Sequence, residues 1–156
     1  KVSLAFTKGD PEAAAAQAVA RFLSAAGLHV DLKGYSFPPY LKLLQQGKQQ
    51  LFRLGWIAEY PSPDVFLDPL FTSGSPDNHS AFSSPEVDRL LEQAHAAGSP
   101  GKRQHLYVEA ERTILKSLPV IPIGSFVSRW AARPNVEDIH FDVMGGFDAT
   151  NVFLAK

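Results

Sequence analysis

The stretch that decides the fold is VSLAFTKGDPEAAAAQAVARFLSAAGLHVDLK, residues 2–33. It starts with an apolar run and continues into a turn that places Asp10 at a helix N-cap and Pro11 at the first helical position. Residues 12–26 are rich in alanine and carry apolar side chains at helical spacing, and a glycine follows where a C-terminal cap belongs. Residues 28–33 alternate apolar and polar side chains, as a half-buried strand does. The opening is therefore predicted to be strand, helix, strand.

The next segment continues this alternation. A short helix is predicted from Pro39 to Gln46, and the apolar stretch from Leu51 to Ile57 predicts a third strand. Strands that alternate with helices are typical of an α/β layer, in which right-handed crossovers connect a largely parallel sheet. We therefore expect an α/β fold whose sheet is mostly parallel and flanked by helices.

Proline becomes frequent after Trp56, since five prolines fall within about 25 residues. A helical turn or two is expected at 65–71, and Ser-Pro pairs at 84–85 and 99–100 predict the starts of two longer helices. A strand is expected at 120–123, continuing through 126–130, with its prolines confining it to a sheet edge. No internal repeat is visible, so residues 1–156 are expected to form a single domain.

Length, charge and composition exclude several classes of protein. The chain has 156 residues and a formal charge of -1, so nothing suggests a nucleic-acid partner. Cysteine is absent, which excludes disulfides, thiolate metal sites and cysteine nucleophiles. No apolar run approaches the roughly 20 residues of a membrane span. No basic-then-apolar leader precedes Val2, so we expect any targeting segment to be absent or to have been removed. Both ends are abrupt, which is compatible with a segment cut from a longer polypeptide and equally with ordered terminal strands.

Motifs for catalysis or cofactor binding are weak. His105 and Glu109 stand four residues apart on a predicted helix, but two ligands do not make a metal site. Gly124-Ser125 lacks the flanking pattern of a nucleophile elbow, and no glycine-rich phosphate cradle occurs. We expect no catalytic residue, no metal and no cofactor. The enzyme alternative is a hydrolase that uses Glu59 with Asp64 or Asp68 as a carboxylate pair.

The stretch LFRLGWIAEYP, residues 51–61, is more informative because a strand end there carries a bare glycine, large aromatic residues and a carboxylate. Strand ends are common places for ligands. In an extended chain, positions 53, 55, 57 and 59 lie on one side and positions 54, 56 and 58 on the other. A purely structural interpretation makes Trp56 and Tyr60 core aromatics and pairs Arg53 with Glu59 at the surface.

Together with motifs in the second half of the chain, this stretch resembles the second lobe of the family-5 extracellular solute-binding proteins, the dipeptide- and oligopeptide-binding proteins of ABC importers. The resemblance runs over nearly all of the chain as ordered short pieces. They are Gly55-Trp56, Glu59, Pro61-Ser62-Pro63-Asp64, Phe66-Leu67-Asp68-Pro69-Leu70-Phe71, Asn78, Phe82-Ser83-Ser84-Pro85-Glu86-Val87-Asp88-Arg89-Leu90-Leu91, Arg103-Gln104-His105-Leu106-Tyr107-Val108-Glu109-Ala110-Glu111 and Leu118-Pro119-Val120-Ile121-Pro122-Ile123.

The resemblance implies a lobe of the type II periplasmic-binding-protein fold, with a mixed, mostly parallel sheet. It further implies a two-lobed protein that closes over a peptide by hinge motion and delivers it to an ABC permease, without covalent chemistry. The N-terminal lobe of the same polypeptide would then be a partner outside this chain. The expected location is periplasmic or on the extracellular cell surface, where a lipid anchor is possible.

The resemblance also implies a ligand-binding set. In peptide-binding relatives the Gly-Trp strand offers backbone hydrogen bonds, the acidic residue three beyond the Trp accepts the ligand's α-ammonium, and in some members an arginine three before the Trp meets its carboxylate. The expected ligand-binding residues are Arg53, Gly55, Trp56, Ile57, Glu59 and Tyr60.

One departure from the family's pattern concerns Glu59, since peptide binders usually carry aspartate there. The additional methylene group moves the carboxylate by about one C–C bond. A water-bridged contact, or a non-peptide solute such as an oligosaccharide or a nickel chelate stacked on Trp56 and Tyr60, is therefore the alternative. A sensor module that shows one lobe to a protein partner is a third class.

Overall fold

A parallel sheet with two crossover helices forms the first part of the chain, and three helices form the next. The computed structural model describes residues 1–125, 127 and 129–155. The elements are β1 (Val2–Thr7), α1 (Asp10–Ala25), β2 (Val30–Tyr35), α2 (Phe37–Gln45), β3 (Leu51–Phe52), α3 (Asp64–Phe71), α4 (Pro85–His95), α5 (Pro100–Ser117), β4 (Val136–Glu137), β5 (His140–Phe141), β6 (Phe147–Asp148) and β7 (Phe153–Leu154).

The sheet has the strand order β2-β1-β3, and β1 pairs in parallel with both neighbours. In this register Leu4 lies opposite Leu32 on one side and opposite Leu51 on the other. Each parallel connection passes through one helix, as parallel strands require. The predicted α/β architecture with a mostly parallel sheet is confirmed.

The two faces of the sheet pack against different helices. Leu4 and Phe6 of β1 form a buried cluster with Ala16 of α1. Ala5, which points to the other face, packs with Tyr40 and Leu44 of α2. The alternation of side chains along β1 thus divides the core between α1 and α2.

Helix α1 begins one residue earlier than expected. The predicted N-cap, Asp10, is the first helical residue, and Gly9 occupies the N-cap position with φ 154 and ψ 152. That region of backbone space is nearly restricted to glycine. Pro11 still occupies the first turn, because its missing N–H has no intrahelical partner there anyway.

Helices α3, α4 and α5 form what we call the helical cluster, whose single core contains more buried side chains than either sheet face. The predicted caps are confirmed: the Ser84 hydroxyl accepts from the Val87 N–H at 3.3 Å, and the Ser99 hydroxyl accepts from the Lys102 N–H at 3.4 Å. The buried members of the core are Leu67, Phe71, Val87, Leu90, Leu91, Ala94, Ala97, Leu106, Tyr107, Ala110 and Ile114.

The third strand is much shorter than predicted. Instead of running from 51 to 57, regular pairing covers only Leu51–Phe52. The Arg53 N–H still donates to the Ala5 carbonyl at 2.9 Å, but the Arg53 carbonyl accepts from the hydroxyl of Tyr40 at 2.6 Å. In a continuing parallel ladder that carbonyl would accept from an amide of β1. The Tyr40 hydroxyl therefore ends the strand.

The strand predicted at 120–123 is wrong, since the structure assigns no strand to these residues. Pro119 and Pro122 lack the N–H that a ladder needs. Its predicted continuation at 126–130 includes Phe126 and Ser128, which lie outside the described residues. Beyond it, β4 pairs with β7 and β5 with β6, both antiparallel and two residues long.

In the part of the chain that the structure describes, no helix combines the length and the apolar character needed to cross a lipid bilayer.

Candidate functional site

The candidate site begins where the chain leaves the carboxyl end of β3. Residues 53–60, which we call the exit segment, follow the sheet at the edge where α/β proteins bind ligands. Gly55, Ile57 and Glu59 are exposed, whereas Leu54, Trp56 and Ala58 are half-buried. The predicted alternation is therefore present even though the regular strand has ended.

The backbone of the exit segment is unpaired over most of its length. Within the described residues, no hydrogen bond reaches the N–H or C=O groups of residues 54–58. Backbone polar groups are obligatory hydrogen-bonding groups. An extended backbone with unpaired groups can accept another extended chain in the manner of an added strand.

Tyr40 fixes the start of the exit segment. Its side chain is fully buried, and its hydroxyl lies 2.6 Å from the Arg53 carbonyl and 3.3 Å from the Ala5 carbonyl. A hydroxyl has one proton, so the shorter contact with Arg53 takes it. Burial raises the pKa of Tyr40 to about 12, against the opposing effect of the hydrogen bond and charge of Arg53. The hydroxyl therefore remains a donor throughout the physiological pH range.

Arg53 forms an ion pair with a residue that sequence analysis did not single out. Its Nη1 lies 3.8 Å from Oε1 of Glu12 in the first turn of α1. The surface pair of Arg53 with Glu59 that the structural interpretation proposed does not form. Within the described part of the chain, Glu59 makes no ion pair.

A hydrogen bond to the backbone of α3 holds the side chain of Trp56. Its indole N–H donates to the carbonyl of Val65 at 2.7 Å. In an α-helix this carbonyl would accept from the residue four positions on, which is Pro69 and has no N–H. The proline thus leaves the Val65 carbonyl without a helical partner, and the indole satisfies it.

The end of the exit segment and the start of α3 enclose an open depression of about 330 Å³. Four of the six predicted ligand-binding residues line it, whereas Arg53 and Gly55 do not. The lining residues are Trp56, Ile57, Glu59, Tyr60, Asp64, Val65, Asp68 and Pro69.

Two carboxylates of α3 are held by neighbours in this depression. The Tyr60 hydroxyl donates to Oδ2 of Asp64 at 2.8 Å, and Nε2 of His95 lies 2.8 Å from Oδ2 of Asp68. Burial opposes the ionisation of Asp64, but hydrogen bonds from Ser62 and Tyr60 outweigh it and lower the pKa of that carboxyl. The tyrosine's bond to Asp64 in turn raises the pKa of Tyr60.

Asp68 shows the opposite balance. Burial raises the pKa of Asp68, and the attraction of His95 only partly offsets it. In both aspartates Oδ1 is buried and has no hydrogen-bond partner among the described residues. Among the carboxylates that line the depression, that of Glu59 is exposed and those of Asp64 and Asp68 are half-buried. Three carboxyl groups in one depression favour a positively charged ligand group.

This arrangement bears on the hydrolase alternative. A carboxylate pair needs two carboxyl groups that both reach a substrate. One oxygen of Asp64 and one of Asp68 face the protein interior, and the other oxygen of each is engaged by Tyr60 or His95. Glu59 is the exposed carboxylate of the depression, and Asp64 and Asp68 beside it are half-buried.

The predicted proximity of His105 and Glu109 is confirmed, with Nε2 and Oε1 3.4 Å apart on the exposed side of α5. In the described residues, no group of three or more potential metal ligands comes together.

Sequence reasoning missed two side chains that shape the site. Tyr40 has the sequence signature of an ordinary aromatic residue in an apolar helix, and nothing local indicates its bond to Arg53. Glu12 reads as a favourable charge at a helix N-terminus. The packing of α1 and α2 against β1 and the pairing of β1 with β3 bring these residues to the exit segment.

Comparison with known proteins supplies independent information. The sequence model of the family described as bacterial extracellular solute-binding proteins, family 5 Middle, matches residues 1–78. The oligopeptide-binding protein OppA of Bacillus subtilis is 26% identical over 140 residues, which are 89% of this chain and 26% of that protein.

Solved structures agree with the sequence matches. The crystal structure of Haemophilus influenzae OppA in complex with RPPGFSPFR aligns with a TM-score of 0.78 and 26% identity, covering 87% of this chain and 27% of that one. The periplasmic binding protein DppA of Helicobacter pylori in complex with the peptide STSA aligns with a TM-score of 0.70 and 27% identity, covering 76% of this chain and 24% of that one. The chain spans about a quarter of the length of these relatives.

Proposed function

Because the chain belongs to the family-5 bacterial extracellular solute-binding proteins, we propose that it is one lobe of the substrate-binding component of an ABC importer that captures peptides. A second lobe of the same polypeptide closes over the ligand by hinge motion, and the closed protein delivers the ligand to a membrane permease. The protein acts outside the cytoplasmic membrane, in the periplasm or at the cell surface. No step of this cycle makes or breaks a covalent bond.

The observation that carries this proposal is the unpaired backbone of residues 54–58 beside the depression that Trp56 and Glu59 line. Peptides share one backbone whatever their side chains, so an added-strand contact captures them independently of sequence. The peptide complexes of the H. influenzae and H. pylori relatives support the same ligand class.

In this proposal Glu59 receives the α-ammonium group of the peptide. Its carboxylate is exposed in the open lobe, and closure would remove water from it and strengthen the charge-assisted bond. Trp56 lines the pocket for the first side chain of the peptide, and the hydrogen bond from its indole N–H to the Val65 carbonyl keeps the indole in place. The N–H and C=O groups of Gly55 and Ile57 are unpaired within the described residues and would pair with the ligand backbone.

The test is a calorimetric titration of the full-length polypeptide that contains this chain, with tri-alanine and N-acetyl-tri-alanine as ligands. If Glu59 binds the ammonium group, Glu59→Gln weakens tri-alanine binding by about 3–5 kcal/mol, because removing one partner leaves the other charge buried and unpaired. The same substitution leaves the weak binding of the acetylated peptide nearly unchanged.

Glu92→Gln, at an exposed position of α4, is the matched control and should bind both peptides as the wild type does. Equal losses for the two peptides in Glu59→Gln would remove the ammonium role. Oligosaccharides and nickel chelates serve as the other arms of a thermal-shift screen, and stabilisation by one of them but not by tri-alanine would overturn the peptide assignment.

A further expectation concerns this chain by itself. A cleft that closes takes ligand contacts from both sides, so the 156-residue chain alone should bind tri-alanine poorly. Micromolar or tighter affinity of the isolated chain in calorimetry would contradict a two-lobed binding mode.

A further inference from the structure

Glu12 ties the beginning of α1 to the exit segment. Its carboxylate lies 3.8 Å from the guanidinium group of Arg53, and the two side chains are 26% and 17% exposed. The pair thus lies largely out of solvent at the carboxyl edge of the sheet. Charges in such a place are screened less than those on an open surface.

Two features hold the Glu12 carboxylate in this position. A Cβ atom at Gly9 would lie only 3.1 Å from Oε2 of Glu12, and the φ of +154° at Gly9 is itself unfavourable for other residues. The bare glycine therefore lets the carboxylate turn back over the start of α1, where the helix dipole favours a negative charge. The positive end of the helix and the guanidinium group together fix it.

The pair neutralises Arg53 without using its hydrogen-bonding capacity. A separation of 3.8 Å exceeds the 2.7–3.2 Å of a hydrogen bond, and no hydrogen bond of the Arg53 guanidinium is formed within the described residues. An incoming carboxylate could form a forked contact with this group. It would at the same time meet the negative charge of Glu12.

We infer that Glu12 determines the specificity of the proposed site by selecting against ligands that place a carboxylate at Arg53. Ligands with a neutral group there, such as an internal amide of a longer peptide, do not meet this repulsion. The inference rests on the proposed function, because it assumes that a peptide lies along the exit segment. It adds a residue of α1 to the determinants of ligand choice.

The separation of Arg53 and Glu59 defines the probes. Six steps of extended chain at about 3.3 Å each span about 20 Å at most. A peptide of about three to five residues, at up to about 3.6 Å each, fits such a gap. The probes are tri-, tetra- and penta-alanine, each as the free acid and as the C-terminal amide.

The experiment is calorimetric titration of the full-length polypeptide as wild type, Glu12→Gln, Arg53→Gln and the double variant. In the wild type we expect acid and amide to bind within about threefold of each other. Glu12→Gln should favour the acid by about tenfold at one peptide length, since Arg53 then has an unopposed charge. The double variant should lose this preference.

The ratio of acid to amide affinity is the readout because both ligands meet the same variant, so a general loss of stability affects them equally. Glu12→Asp keeps the charge at the helix start and draws it back from Arg53, and it should give an intermediate ratio. Glu86→Gln, exposed in the first turn of α4, is the matched control with the wild-type ratio.

The possible failures are distinguishable. Peptides that bind Glu12→Gln with the wild-type ratio at every length would overturn the role of Glu12 and leave the proposed function intact. If neither acid nor amide binds the wild type, the proposed function fails and the role of Glu12 fails with it.

Discussion

The helical cluster and the exit segment differ in how much apolar surface they bury and in how many of their backbone polar groups are hydrogen-bonded. The cluster buries its apolar side chains in one continuous core, and serine caps close the starts of two of its helices. Within the described parts of the chain, the exit segment has an unpaired backbone at residues 54–58, and its hydrogen bonds to α2 and α3 involve Tyr40 and Trp56. If the proposed function holds, stability and ligand recognition occupy separate parts of this chain, and α3 belongs to both because it packs in the cluster and lines the depression.

The largest effect is expected inside the helical cluster. Ile114 is 2% exposed, and Ile114→Ala should lower the free energy of unfolding by about 2–5 kcal/mol through lost burial and a residual cavity. Leu115 in the same helix is 40% exposed, and Leu115→Ala should cost clearly less. Chemical denaturation of the chain measures both, and similar losses would show that the cluster does not carry the stability assigned to it.

The next effect concerns the junction between α2 and the exit segment. Tyr40→Phe keeps the ring but leaves the part-buried carbonyl of Arg53 without its donor, which should cost about 1–3 kcal/mol in the free energy of unfolding. Tyr35→Phe is the matched control, because Tyr35 stacks on Tyr40 with ring centroids 6.2 Å apart. The hydroxyl of Tyr35 forms no hydrogen bond within the described residues, and a loss equal to that of Tyr40→Phe would contradict the special role of Tyr40.

A smaller effect on stability, with a clear optical signal, is expected at α3. Pro69→Ala introduces an N–H that competes with the indole of Trp56 for the Val65 carbonyl. The free energy of unfolding should change by no more than about 1 kcal/mol, because the helical bond gained offsets the indole bond lost. The fluorescence anisotropy of Trp56 should fall.

The second tryptophan, Trp130, must be replaced by phenylalanine in all variants so that the signal comes from Trp56 alone. Val65→Ala is the control, since it removes a side chain but keeps the accepting carbonyl. Unchanged anisotropy in Pro69→Ala would mean that the proline does not determine how the indole is held.

The smallest expected effect is on the pKa of Asp64 and, through it, on the pH dependence of stability. Because the pKa of Asp64 is lowered in the folded protein, this carboxyl contributes stability above its usual pKa of 3.8 and loses the contribution as the pH falls through its folded value. Tyr60→Phe removes one of the hydrogen bonds responsible, so the pKa of Asp64 should rise and the loss should begin at a higher pH.

Carbon-13 NMR of the aspartate carboxyl groups measures this change. Asp68 is the internal reference, because His95 rather than Tyr60 contacts it. A shift of Asp68 equal to that of Asp64 would point to a general rearrangement of α3 instead of a lost hydrogen bond.

The order and type of most elements could be predicted from the sequence because their signals are local. The strand-helix-strand opening follows from periodicity and turn residues, and Ser84 and Ser99 mark helix starts because each precedes a proline. The alternating exposure of residues 54–59 followed from the period of an extended chain. Family resemblance added the family and the type of fold, which the comparisons confirm.

What could not be predicted depends on contacts between distant segments. The end of β3 is determined by a hydroxyl thirteen residues earlier, and the partner of Arg53 lies on α1. At 120–123 the apolar residues favour a strand, but a strand also needs a neighbour with free hydrogen-bonding groups, which periodicity does not report. The six predicted ligand-binding residues stay a prediction until a ligand is measured.

The bond that holds Trp56 has a consequence for how this region tolerates mutation. The indole N–H donates to the backbone carbonyl of residue 65, which every amino acid has, so a substitution at position 65 keeps the acceptor of this bond. The vulnerable position is 69, where the proline lines the same depression as Trp56 and has no N–H to compete for the Val65 carbonyl. Any of the nineteen alternatives there would restore a rival donor in a single step.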